Sequence, residues 1–196
     1  MLTGIKFQAK PTNEQAIILA QWMGCAKFIW NAKCDEDHYL RAYATKYLPT
    51  GTFATVDQTY SQYKSKTLSP WLSDCPSQIL RNSATNWYNT YHKFLKGVCG
   101  RPKHKNRSSQ GSVHLTNELF ELALMNGQWQ LNIGTKSRNI GVLKVKFHRD
   151  FGIPKSLYIK RNHNRWSVSF CYEDHVTVDN TLEDHFNYLQ QCTRAE

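Results

Sequence analysis

Ile5-Lys6-Phe7-Gln8-Ala9-Lys10-Pro11-Thr12-Asn13-Glu14-Gln15 changes its period at the proline. Upstream, Thr3, Ile5, Phe7 and Ala9 fall on one face, and Leu2, Gly4, Lys6, Gln8 and Lys10 on the other, which is the alternation of a strand. Pro11 stops that strand and predicts an edge position. Downstream, Thr12 and Gln15 have the spacing of a capping box, so a helix should begin at Asn13. Ile17, Ile18, Trp22, Cys25, Ile29 and Trp30 keep helical spacing, and the helix should run to about Tyr47, before Leu48-Pro49-Thr50-Gly51. A strand leading directly into a long helix is the frame for everything that follows.

Thr55 and Gln58 repeat the capping-box spacing and predict a short helix through Tyr63. Trp71-Leu72-Ser73-Asp74-Cys75-Pro76 reads as a loop into a third helix, with Pro76 near the first position, where its missing N–H costs nothing. That helix carries Ile79, Leu80, Ala84, Trp87, Tyr88, Tyr91, Phe94 and Leu95 along one side and should end at Gly97. After Gly111 the period falls to two. Residues 112–116, 128–133, 142–147, 156–160 and 165–172 read as strands between turns such as Asn126-Gly127. The expected fold is α+β: a small barrel completed by the strand at 2–10, with the helices inserted between them. The segments are then 1–12 (first barrel strand), 13–98 (helical lobe with a helix-turn-helix-like start), 99–111 (basic loop), 112–174 (rest of the barrel) and 175–196 (acidic tail).

Lysine and arginine number 25 against 15 acids in 196 residues, a formal charge of +10 that predicts a polyanionic partner. The surplus is uneven. From Leu122 to Tyr172 the only acid is Asp150, and from Lys93 to Arg107 six cations stand without one. In the second stretch Lys96, Arg101, Lys103, Lys105 and Arg107, broken by Gly100 and Pro102, should lie against phosphates and make binding salt-dependent. A solvated linker is the competing reading. Six scattered cysteines without CxxC argue against zinc and for reduced thiols. The eight histidines show neither HxxxH nor HxH spacing. Asp35, Glu36 and Asp37 are adjacent on a helix, so they fan outward and form no shared metal pocket. Trp22, Trp30, Trp87, Tyr88, Tyr91 and Phe94 could stack on bases, but their helical spacing favours core packing. No apolar run approaches the ~20 residues of a membrane span, no signal peptide is visible, and a cytoplasmic, nucleoid-associated protein without cofactor or metal is expected.

Several ordered motifs carry a resemblance. They are the strand with Pro11-Thr12 and Gln15, Gly24-Cys25-Ala26-Lys27-Phe28-Ile29-Trp30-Asn31, and Trp71-Leu72 before a helix. Ala84 with Trp87, Lys93 and Phe94 follows, then Gly100-Arg101-Pro102-Lys103-His104-Lys105, and finally the strands from Lys155 to Tyr172-Glu173. Together they resemble the TnpB/OrfB family of bacterial insertion sequences. Its members are described both as transposases with an N-terminal helix-turn-helix and as RNA-guided DNA nucleases, kin to the compact type V CRISPR effectors. The resemblance covers residues 1–173 and implies a wedge barrel with an inserted recognition lobe. By alignment through Trp71-Leu72, it also places Phe53, Ser77, Arg81 and Thr116 where the family reads a short target-adjacent motif in duplex DNA. An arginine suits a bidentate contact to guanine, although a phosphate or an acidic neighbour would serve Arg81 equally well.

Full-length family members continue into a RuvC-like nuclease that opens on a Gly-Ile-Asp-x-Gly strand, and no such strand precedes Glu196. The expectation is a module that binds guide RNA and double-stranded DNA, has no catalytic residues of its own and does not act alone as an enzyme. Two other readings stand beside it. The chain could be one part of an active RNA-guided endonuclease whose nuclease half is encoded separately, or the remnant of a decayed gene.

Overall fold

The computed structural model describes residues 2–49, 56–106, 110–135 and 138–173. The strand β1 (Leu2–Lys10) leads into helix α1 (Asn13–Tyr47), and α2 spans Ser77–Leu95. Strands follow: β2 (Gln110–Thr116), β3 (Phe120–Met125), β4 (Gln128–Thr135), β5 (Arg138–Lys146), β6 (Ser156–Asn162) and β7 (Arg165–Glu173). They form one antiparallel sheet in the order β2-β6-β7-β1-β5-β4-β3.

The junction expected at Pro11 is built as its residues indicate. Thr12 Oγ1 accepts from the Gln15 amide at 3.2 Å, and Gln15 Oε1 accepts from the Thr12 amide at 3.1 Å. The same Gln15 side chain donates to the carbonyls of Ile140 and Val142, each at 3.0 Å. One buried amide therefore caps α1 and pins it to β5. At the far end of α2, the Val98 amide donates to the Lys93 carbonyl and the Gly97 amide to that of Phe94, both at 2.9 Å. This is a Schellman arrangement, and Gly97 supplies its positive φ of 71°. Asn126 and Gly127, at φ 51° and 72°, make the tight turn of the β3–β4 hairpin.

Five expectations are corrected. The first strand is central and not at an edge: β1 pairs with β7 along its whole length and with β5 through Gln8, Ala9 and Lys10. Its alternation fits any antiparallel strand with one polar face, so it could not locate the edge. The sheet is also open and not a closed barrel. Its edge strands β2 and β3 are successive in the chain, joined by the 3-10 turn Asn117–Leu119, yet they are not paired with each other. Closure needs a continuous stagger around every pair, and the three-residue β1–β5 ladder interrupts it. In place of the helix expected from Thr55, the described residues hold only a 3-10 turn at Ser61–Tyr63, and α2 ends at Leu95, short of Gly97. Finally, β3 is a strand that the alternation does not announce, because Leu122, Ala123, Leu124 and Met125 run apolar without a break and blur the pattern that Phe120 and Glu121 begin.

The core is continuous from helices to sheet. Leu19, Trp22, Ile29, Leu72, Ile79 and Leu80 pack in one cluster with Phe7, Leu115, Ile159 and Phe170. Phe7, Phe147, Phe151 and Phe170 meet at centroid distances of 5.0 to 6.2 Å, filling the place where the two arms of the sheet part at β1. Trp87 and Tyr91 stack at 5.1 Å in a second cluster with Cys34 and Val56, so these aromatics are core, as their spacing indicated. Lys33 is fully buried. Its ammonium bridges Glu36 at 2.7 Å and Asp57 at 3.2 Å, and the Tyr63 hydroxyl donates to the same Glu36 carboxylate. This staple ties the 56–63 segment to α1.

Candidate nucleic-acid interface

The basic loop after α2 lies along one face of α1 and is held there mainly by its backbone. Asn31 donates to the Lys105 carbonyl at 3.1 Å and accepts from the Lys105 amide at 2.9 Å, as a strand neighbour would. Trp30 Nε1 donates to the Lys103 carbonyl at 2.9 Å. Arg101 reaches the buried Asp37 carboxylate at 3.0 Å and stacks over Phe94 at 4.6 Å, while His104 meets Asp35 at 2.7 Å. Residues 30, 31, 34, 35 and 37 recur at helical spacing on that face, so α1 serves as a rail for the loop.

This changes what the loop can offer. The stretch carries no acid of its own, yet α1 brings two carboxylates to it, and Arg101 is committed to Asp37. The three adjacent acids do fan around the helix: Asp35 meets His104, Glu36 meets Lys33, and Asp37 meets Arg101 and Arg41. Among the described residues, no three His, Cys, Asp or Glu side chains converge as a metal site. Lys96 and Lys103 stay exposed. Lys105 is exposed overall, yet its ammonium sits 3.8 Å from the centre of the Trp30 ring, and burial holds its pKa below the ordinary lysine value. Phe53 and Arg107 fall outside the described residues.

The registers of four strands align a polar face beside this loop. Ser112, Lys160, Ser167 and Gln8 form one cross-strand row, and His114, Tyr158, Ser169 and Lys6 the next. Between this face and α1 runs a groove of about 650 Å³. Its cations are Lys6, Lys27, Lys105, Lys160 and Arg161, and among the described residues no carboxylate lines it. The five come from β1, α1, the loop and β6. Lys105 stands in the basic loop, and Lys160 and Arg161 in the acid-poor stretch from Leu122 to Tyr172, but Lys6 and Lys27 belong to neither; strand register and the packing of α1 make the five neighbours. Arg161 also donates to the His163 carbonyl at 3.0 Å.

Ser77, Arg81 and Thr116 lie elsewhere, where α2 crosses the end of β2. Asn82 donates to the His114 carbonyl at 3.3 Å there. One Arg81 nitrogen donates to both Glu118 oxygens at 3.0 Å, so the acidic neighbour exists. Ser77 is exposed on the first turn of α2, and Thr116 Oγ1 is buried with no hydrogen-bond partner among the described residues. His114 is half-buried, stacked on Tyr158 at 4.5 Å, and desolvation holds its pKa below the usual value.

Two comparisons bear on this arrangement. Residues 1–33 match a family described as "Helix-turn-helix domain" (HTH_OrfB_IS605). In that span the structure has β1 and the first part of α1, a single helix that no turn interrupts before Tyr47. Over 181 residues the chain is 24% identical to "Putative RNA-guided DNA endonuclease InsQ" of Escherichia coli (strain K12), an alignment taking in 90% of this chain and 42% of that protein. The chain thus spans less than half the length of that relative. Residues 1–33 are similar to that helix-turn-helix domain, and most of the chain is similar to part of a protein described as a putative RNA-guided DNA endonuclease.

Proposed function

We propose that the chain is a nucleic-acid-binding module of a TnpB-like, insertion-sequence-encoded protein, gripping guide RNA and duplex DNA without cutting DNA by itself. The groove between α1 and the polar sheet face carries this reading: five cations from four segments converge with no acid among them. Cations spread over a helix, a loop and two strands suit a phosphate backbone followed by shape, and not base edges read by one recognition helix. The uninterrupted α1 supports the same view, since a helix-turn-helix needs a second helix set at an angle by a turn.

Lys96 and Lys103 extend the cationic surface, while Arg101 serves to anchor the loop. The Ser77, Arg81 and Thr116 corner is the proposed reader of duplex DNA. Arg81 is free to exchange partners there, because its pair with Glu118 is half-exposed on both sides and such pairs contribute about 0–1 kcal/mol. A separately encoded nuclease half would supply cutting. Titrating fluorescent single-stranded RNA and duplex DNA across a salt series tests the proposal. Affinity should fall steeply with salt for either ligand, and binding insensitive to salt would refute it.

A further inference from the structure

A second cavity of about 500 Å³ opens on the other side of α1, against the 3-10 turn Pro70–Asp74. Its walls are mainly apolar, with Trp22 at the floor and Phe28 and Trp71 at the mouth. Phe28 and Trp71 meet edge to face, with centroids 6.0 Å apart and planes at 89°. Trp71 is 49% exposed, whereas Trp22 and Trp87 are at 3% and 0%. It is the exposed tryptophan among those described, and it stands at the cavity's edge.

Gly24 and Lys27 line both this cavity and the cationic groove, so the two are continuous across α1. Gly24 is in mid-helix, where glycine is a poor helix former. Among the described residues a Cβ added there would meet no atom within 4 Å. An open saddle kept at a cost in helix stability is what close approach of a ligand across the backbone would need. The charges also divide the labour. The groove has cations only, whereas the cavity rim carries Asp74, which repels phosphate but accepts from an exocyclic amine or ring N–H of a base.

We propose that the Phe28–Trp71 cavity receives an unpaired nucleobase, extruded over Gly24 from a strand whose phosphates lie in the cationic groove. This rests on the nucleic-acid reading above and adds a stacking site to it. The base stacks on one ring with its edge toward the other, while Lys27 holds the phosphate at the saddle. Because every base has a π-face, the site tolerates many sequences; Asp74 favours bases that present a donor.

The test compares a 12-nucleotide oligoadenylate with a ribose-phosphate strand of equal length lacking bases. The unaltered protein should bind the first about 5- to 100-fold more tightly, the range expected for one stacked base. In Trp71→Leu that ratio should fall toward one, with the salt slope for the abasic strand unchanged; in Gly24→Leu the added side chain closes the path over the helix, and the ratio should fall there too. Gly24→Leu raises helix propensity, so its melting temperature should not drop and weakened binding cannot be assigned to misfolding. A base-dependent ratio that survives both substitutions, or is missing from the unaltered protein, overturns the stacking site while leaving phosphate binding standing. If neither strand binds in a salt-dependent way, the functional reading fails and this inference fails with it.

Discussion

Replacing Lys6, Lys27 and Lys160 together with alanine isolates the groove from the loop. These three line it from β1, α1 and β6. The other two cations have other engagements, Lys105 with Trp30 and Arg161 with the His163 carbonyl. Removing one phosphate contact should flatten the slope of log K against log salt by about 0.7 for a single strand or 0.9 for a duplex, so the triple variant should drop by about 2 to 3 units in all. A drop of about 2 units means that the penalty relative to the unaltered protein shrinks about 16-fold between 50 and 200 mM salt. Fluorescence anisotropy at five salt concentrations measures this directly. Lys6 and Lys160 are exposed and Lys27 half-buried, so stability should change by no more than about 0.5 kcal/mol per site, checked by urea unfolding. An unchanged slope in a folded triple variant would refute the groove as the phosphate site and leave Lys96 and Lys103 as the cations to test next.

Asp37→Asn removes the charge that holds Arg101 and should cost about 1.5–3 kcal/mol in urea unfolding, the worth of a hydrogen bond to a charged group; hydrogen exchange should rise in the loop if the anchoring argument holds. Lys33→Ala leaves Glu36 and Tyr63 without their buried cation and should cost about 3 kcal/mol, the low end for a broken buried pair because Asp57 can turn to water. His114 is held neutral by burial, with a folded pKa below its unfolded value. Protonation therefore favours the unfolded chain, and stability should decline as pH falls below about 6.5, the ordinary histidine pKa. Urea midpoints between pH 5 and 8 should show that decline, and His114→Gln should lessen it. The proposed binding role predicts that the chain, incubated with magnesium or manganese, RNA and matching DNA, leaves the DNA intact. Metal-dependent cutting abolished by Asp179→Ala with Asp184→Ala would place catalysis in the tail.

Local interactions are legible in the sequence by itself. The capping box at Thr12 and Gln15 starts α1 at Asn13, the apolar spacing carries it to Tyr47, and Asn126-Gly127 turns a hairpin, because each depends on residues at most a few positions apart. The loop is also legible as a run of charge, but its electrostatics are not. Asp35 and Asp37 precede it by more than sixty positions, and only the packing of the chain along α1 reveals that Arg101 is an anchor. The same distance hides the groove. Lys6, Lys27 and Lys160 carry no shared motif; they converge because β1 lies centrally, paired with β7, and β7 sets β6 and β2 beside it. Period-two alternation says which face a side chain takes, but not which strand lies next to it. Strand order, the open sheet and the site that depends on both were therefore decided by long-range hydrogen bonding and shared burial, which no short window of sequence contains.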